Sequence, residues 1–151
     1  MAIHITSKTI PLKLLRPTSR DELISLIVQE LELQGPDANL NFIDTSLITD
    51  MSGLFANIRY EIRNIKIDRW DTSNVTDMSH MFSYCINFNA DLSGWDVSNV
   101  REMSYMFCKC RKFNSDLSGW NTKKLIGITG MFANCCSLDK SKLNWQQLRQ
   151  C

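Results

Sequence analysis

An α/β solenoid is what this sequence predicts: short coils stacked along one axis, with a narrow parallel sheet on one side, short helices on the other and an N-terminal capping helix. Three observations point there. Trp70, Trp95, Trp120 and Trp145 stand 25 residues apart, and a fixed period in that range marks units that bury their apolar faces only against their neighbours. The flanking residues repeat as well: Trp70-Asp71-Thr72-Ser73-Asn74-Val75 recurs as Trp95-Asp96-Val97-Ser98-Asn99-Val100. Ahead of the repeats, Leu23, Ile27 and Leu31 form an apolar stripe at helical spacing.

From the N-terminus, Ser19-Arg20-Asp21-Glu22 has the form of a capping box, in which a hydroxyl and a carboxylate satisfy the free N–H groups of a first helical turn. Gly35-Pro36 stops the helix so begun, placing it at Ser19 to Gln34. Leu40 to Ile43 is the expected first inner strand. A diverged unit follows: Asp44-Thr45-Ser46 through Leu54-Phe55 matches Asp71-Thr72-Ser73 through Met81-Phe82 at an offset of 27, so two extra residues fall in the Ala56 to Asn64 connection.

Three regular units then span Ile65 to Ala90, Asp91 to Ser115 and Asp116 to Lys140. Within each, residues such as Val75, Met78, Phe82 and Cys85 fall at i, i+3, i+7 and i+10, one face of a helix. Thr76 or Asp77 is its expected N-cap. So short a helix is unstable alone, and packing on the next coil must hold it. Leu92 and Trp95 are expected to point inward around a short extended piece, and Ser73-Asn74 and Ser98-Asn99 to be turns; stacking would pair the extended pieces in parallel. Asn144 to Gln150 is expected to close the last coil, with Trp145 as its apolar layer. The chain reads as one domain, 1–151: an N-terminal cap (1–38), one diverged and three regular repeats (39–140), and a C-terminal cap (141–151).

Composition narrows the function. A formal net charge of +1 gives no global pull toward nucleic acid or an anionic membrane. No apolar run approaches the roughly 20 residues of a membrane span, and Met1 to Arg20 lacks a secretory core and cleavage site. A cytoplasmic protein without membrane association is expected. Six cysteines in 151 residues are too sparse for a disulfide-built scaffold.

The string from Asp91 to Val100, the Met-Ser-x-Met-Phe of 78–82 and 103–107, and the Cys-x-x-Phe-Asn of 85–89 and 110–114 resemble the BspA-like leucine-rich repeats. The resemblance covers Asn39 to Lys140 and recurs internally. It implies a leucine-rich-repeat-like solenoid used for protein binding and adhesion; such repeats occur in bacterial surface lipoproteins, protist proteins and mobile-element products. This chain departs in having few repeats and no lipoprotein signal. Its last unit also drifts: Asn121 replaces Asp, Lys123-Lys124 replace Ser-Asn, and Gly127 replaces the acidic residue.

Residues in phase with the repeat read as structural. Cys85, Cys110 and Cys135 continue the core stripe as small apolar filler. Cys108-x-Cys110 and Cys135-Cys136 are not paired Cys-x-x-Cys knuckles, and His4 and His80 are the only histidines, so no metal and no cofactor are expected. Cys108, Cys136 and Cys151 lie off the ladder without an activating basic group and His. Asp44, Asp71 and Asp96 share one phase, and Asp50, Asp77 and Glu102 another. A carboxylate needed once per coil fits turn and cap roles, whereas an active site is one convergent cluster. With no Gly-rich phosphate loop and no Ser-centred elbow, no catalytic residue is assigned and no enzyme is expected. Asn89 and Asn114, in register, read as structural residues that bond loop backbone.

Packing does not demand the residues off the repeat, which makes them the functional suspects. Basic residues cluster at Arg59, Arg63, Lys66 and Arg69, at Lys109, Arg111 and Lys112, and at Lys123-Lys124; Tyr84, Tyr105 and His80 vary between units, and Tyr60 lies in the inserted connection. Tyr with Arg nearby is what interface hot spots use. The partner-binding set is Tyr60, His80, Tyr84, Tyr105, Lys109, Arg111, Lys112, Lys123 and Lys124. The expected function is non-catalytic binding of another macromolecule, a protein first, as an inhibitor or effector of phage or mobile-element type. Other readings stay open: a nucleic-acid-contacting or nucleic-acid-mimicking blocker, an adhesion-type surface repeat protein lacking its export signal, a redox or metal role for the off-ladder cysteines, oligomers stacked through coil ends, and a charged face that is merely solvated.

Overall fold

The computed structural model describes residues 15–144. The expected closing helix beyond Asn144, with Trp145, and the residues His4 and Cys151 lie outside the described residues. Among the described residues the elements in chain order are α1, Arg20–Gln34, and a 3₁₀ turn at Lys140–Lys142.

Local chemistry sets the limits of α1. Ser19 is extended, and its hydroxyl accepts the Glu22 N–H at 3.2 Å. Glu22 accepts in return from the Thr18 N–H at 2.7 Å and the Thr18 hydroxyl at 3.1 Å. Those bonds, the N–H first, hold its carboxyl below the ordinary value. Gly35, at φ +80°, closes the helix by donating its N–H to the Leu31 carbonyl. Leu23, Leu26, Ile27 and Leu31 are buried and join the apolar core that runs through the coils.

Beyond α1 the chain winds through four coils, the first three each donating N–H groups to the next at alternate residues. Met51, Gly53 and Phe55 donate to Asp77, Ser79 and Met81. Met78, His80, Phe82 and Tyr84 donate to Glu102, Ser104, Met106 and Cys108. Met103, Tyr105, Phe107 and Lys109 donate to Gly127, Thr129, Met131 and Ala133.

This backbone overturns the expected leucine-rich-repeat-like α/β solenoid with its narrow parallel sheet and short helices. No sheet forms among the described residues; coils meet at isolated parallel bridges, Asn39 with Lys66, Asp50 with Asp77, Asp77 with Glu102 and Glu102 with Gly127. Nor is there a helix over Val75 to Cys85 or its equivalents. The N–H groups of Met81, Ser83 and Cys85 bond back three residues, to Met78, His80 and Phe82. His80 and Tyr84 have φ of +55° and +65°, values foreign to a right-handed helix. Left-handed backbone recurs at Gly53, at Tyr105 and Lys109, and at Gly130 and Asn134. Turns closed this often leave no extended run for a ladder and no right-handed run for a helix. The apolar spacing persists because successive turns return a side chain to the interior every three or four residues, close to the helical period.

Inside the coils, side chains stack on their equivalents. Phe55, Phe82, Phe107 and Phe132 follow one another with ring centroids 5.1, 5.7 and 5.7 Å apart, and Phe88 stacks on Phe113 at 5.9 Å. Trp70, Trp95 and Trp120 are each 4% exposed, and their indole N–H groups donate to the carbonyls of Leu40, Ile67 and Leu92 at 2.9, 2.8 and 3.0 Å. Each ring of this kind takes about 150–250 Å² from water, so the stack of rings dominates the core.

Polar ladders bind the perimeter. The Asn114 and Asp139 N–H groups donate to the side chains of Asn89 and Asn114, at 2.8 and 2.9 Å. The Asn74 and Asn99 amides donate to the carbonyls of Ser46 and Ser73. Asp50–Asp77 and Phe55–Phe82 pair at an offset of 27, and Trp70–Trp95 at 25. The two extra residues of the first coil therefore lie between Phe55 and Trp70, the stretch that holds the 56–64 connection.

Candidate functional site

The left-handed turn positions carry four of the off-repeat residues, His80, Tyr84, Tyr105 and Lys109. His80 and Tyr105 occupy the third residue of the first turn in the second and third coils, where the first and fourth carry Gly53 and Gly130. A left-handed backbone crowds any Cβ, so a bulky residue is unusual there. The two rings stack, with centroids 5.0 Å apart and an interplanar angle of 20°. Tyr105 then extends over Gly130, where a Cβ would stand 2.6 Å from its Cε1. At the other end Arg20 of α1 covers Gly53 and donates to the Ser52 carbonyl.

One turn further along, Tyr84 is 62% exposed and Lys109 of the next coil holds its ammonium 4.5 Å from the Tyr84 ring centroid. Tyr60, half-buried, carries the Arg59 guanidinium 5.2 Å from its own centroid, and an Arg59 nitrogen donates to its hydroxyl at 3.1 Å. Between Tyr60 and Tyr84 lies a depression of about 210 Å³, lined by Phe55, Ile58, Ile62 and Ile86 among others. The Asn87 amide donates to Glu61 at 2.7 Å across its wall.

Arg111 and Lys112 are exposed in the turn after Lys109, and the Lys112 N–H donates to the Ile86 carbonyl. Lys123 and Lys124 lie elsewhere, in the turn that follows Trp120, and no ring contact ties them to the tyrosines. Lys124 donates to the Asn99 side chain at 2.7 Å, taking the ladder position that Asn74 and Asn99 hold in earlier coils. Lys124 is thus explained by packing, as is Tyr60, which packs half-buried against the core, whereas His80, Tyr84, Tyr105 and Lys109 are not.

Sequence reasoning overlooked Arg59 as the partner of Tyr60, and two exposed isoleucines. Ile86, 47% exposed, stands where the next coils carry Arg111 and Cys136; Ile126, 76% exposed, stands where earlier coils carry Thr76 and Arg101. An apolar residue at a phase that is otherwise polar was the available signal.

The in-phase residues have structural partners. Asp91, Asp96, Asp116 and Asp139 each accept the hydroxyl and N–H of the Ser two residues on. Those bonds, the hydroxyl first, hold the carboxyls below the ordinary range. The thiols of Cys110 and Cys135 donate to the carbonyls of Phe82 and Phe107 at 3.0 Å. Burial pushes the Cys85 thiol up to about 12 and Cys110 further still. Among the described residues no three His, Cys, Asp or Glu side chains are grouped to hold a metal ion, and no helix is long and apolar enough to cross a membrane.

No curated protein and no solved structure matches the chain. A family model does match residues 31–145, from the last turn of α1 through all four coils. By that match the chain belongs to the family described as Mycoplasma protein of unknown function, DUF285.

Proposed function

We propose that this chain binds another protein, without catalysis, through the turn face that carries His80, Tyr84, Tyr105 and Lys109. The observation behind this reading is the exposed aromatic side chains on left-handed backbone, at positions where Gly53 and Gly130 serve the same turn. Such backbone costs a non-glycine residue about 1–2 kcal/mol, and a ring facing water gains little burial to offset it. Strain of this sort gathers at ligand clamps and binding sites. Tyr is enriched in interface hot spots, and a face held by stacked coils needs no ordering when it binds. The likeness to BspA-like repeats supports a binding role, of which an inhibitor or effector is one form. Acidic side chains spent on turns once per coil favour binding over acid–base chemistry.

The test is affinity capture from a lysate of the source cells, with and without nuclease, using the parent chain and a His80→Gly/Tyr105→Gly variant. The expected result is a nuclease-resistant protein retained by the parent and lost by the variant. Retention of nuclease-sensitive material alone would replace this reading with nucleic-acid binding.

A further inference from the structure

The stack of coils has two unlike ends. At the first coil, α1 joins the core and Arg20 donates its side chain to the Ser52 carbonyl. At the fourth, the N–H groups that earlier coils give to a neighbour belong to Ile128, Gly130, Phe132 and Asn134, the equivalents of Met103, Tyr105, Phe107 and Lys109. Among the described residues none of these four N–H groups has an acceptor. Apolar side chains lie open beside them. Val100 and Met103 are buried, whereas their equivalents Leu125 and Ile128 are half-buried, and Ile126 is 76% exposed. An exposed row of unpaired backbone groups is a template for pairing with another chain.

The hydrogen-bonding pattern of the row selects its occupant. The carbonyls of Ile128, Gly130 and Phe132 are turned back to the N–H groups of Met131, Ala133 and Cys135, so the row donates at alternate residues without accepting. An ordinary strand offers both N–H and C=O groups along one edge and matches such a row poorly. A second copy turned end to end would set donors against donors, and a second copy in series would meet α1 and Arg20. The Glu102 carboxyl fills the space that a Cβ on Gly127 would take, which disfavours an anion beside Ile128. A coil of the same repeat does match. Between the third and fourth coils, carbonyls meet the equivalent N–H groups at 2.7, 2.8, 2.9 and 2.7 Å.

We propose that the open end of the fourth coil binds a coil of this same repeat carried by another protein, one whose first coil no capping helix covers. The four N–H groups donate to its carbonyls, and its apolar layer covers Leu125, Ile126 and Ile128. This end is distinct from the turn face proposed above, so either can hold without the other.

The probe is a fluorescent synthetic peptide of the unit Asp91 to Ser115 with Cys108→Ala and Cys110→Ala, set against a scrambled peptide of the same composition. The full chain is expected to bind the unit peptide about tenfold or more tightly than the scrambled one. By NMR hydrogen exchange, the amides of Ile128, Gly130, Phe132 and Asn134 should exchange fast in the free chain and slowly in the complex. Ile126→Lys stands at a phase that is Thr76 and Arg101 in earlier coils, so it keeps the fold, which its melting curve verifies, and should weaken binding about tenfold or more. No binding, equal binding of the scrambled peptide, indifference to Ile126→Lys, or protection at Tyr84 and Tyr105 in place of the fourth coil would each overturn the proposal. Slow exchange of the four amides in the free chain would overturn it by showing that end already covered. Self-association of the chain alone, lost with Ile126→Lys, would assign the end to a second copy instead.

Discussion

His80 lies nearly flat on Tyr105, ring centroids 5.0 Å apart, with both side chains carried by left-handed backbone in consecutive coils. The stack needs that backbone, and the backbone prefers glycine. We therefore expect His80→Gly to be more stable than His80→Ala by about 1 kcal/mol, because alanine keeps the crowded Cβ and loses the ring. In a helix the order reverses, with alanine ahead by about 1 kcal/mol. Denaturant unfolding of the pair checks this, and alanine ahead of glycine would contradict the turn geometry.

Trp95 fills the central layer and donates its indole N–H to the Ile67 carbonyl at 2.8 Å. Trp95→Ala should cost about 3–5 kcal/mol through lost burial and the cavity left behind. Trp95→Phe refills most of the space and leaves the carbonyl without its donor, at about 1–3 kcal/mol. A Trp95→Ala melting temperature within a degree or two of the parent would place this ring outside the core.

The serine-bonded aspartates set an acid limit. Their carboxyl pKa values are lower folded than unfolded, so the unfolded chain binds protons more readily as pH falls. Their contribution to stability is complete above the ordinary Asp value of about 3.9 and is lost as pH falls through the lower folded values. The denaturation midpoint should hold steady down to about pH 5 and drop below about pH 4. Ser98→Ala removes the largest influence on Asp96, and its carboxyl should titrate nearer the ordinary value by NMR. An unshifted titration would show that the hydroxyl has no such effect.

Thiol chemistry should divide along the ladder. Cys85 and Cys110 are held as thiols by burial, whereas Cys136 is exposed, and alkylation proceeds through the thiolate. Brief alkylation of the native chain at about pH 8, mapped by mass spectrometry, should label Cys136 and spare Cys85 and Cys110. Early labelling of Cys110 would mean that the coils open locally.

Tryptophan spacing made the stacking and its register legible, because an indole is too large to bury except in one layer per coil. The role of Asn89 and Asn114 was legible for a similar reason: a loop that recurs must satisfy its backbone in every coil. The backbone path from Val75 to Cys85 was not. Inward side chains at i, i+3, i+7 and i+10 arise from a helix or from successive tight turns, and apolar spacing does not separate them. The discriminating clue lay in another phase, where Gly53 and Gly130 align with His80 and Tyr105; glycine recurring at one repeat position marks left-handed backbone. Tyr60 and Tyr84 were legible as suspects because the repeat did not need them. Their shared depression was not, since it depends on how the inserted connection folds back on the next coil.

The first coil is two residues longer than those after it, yet Phe55 still stacks on Phe82 and Trp70 on Trp95. The surplus is absorbed at one corner. Length can change there, between Phe55 and Glu61, while the ladders stay in step, because Arg63 and Asn64 again bond Pro36, Asp37 and Asn89. One residue added between Val75 and Phe82 would instead put a whole coil out of step with both neighbours. The molecule is thereby divided into a part whose length the stacking fixes and a part whose length it leaves open.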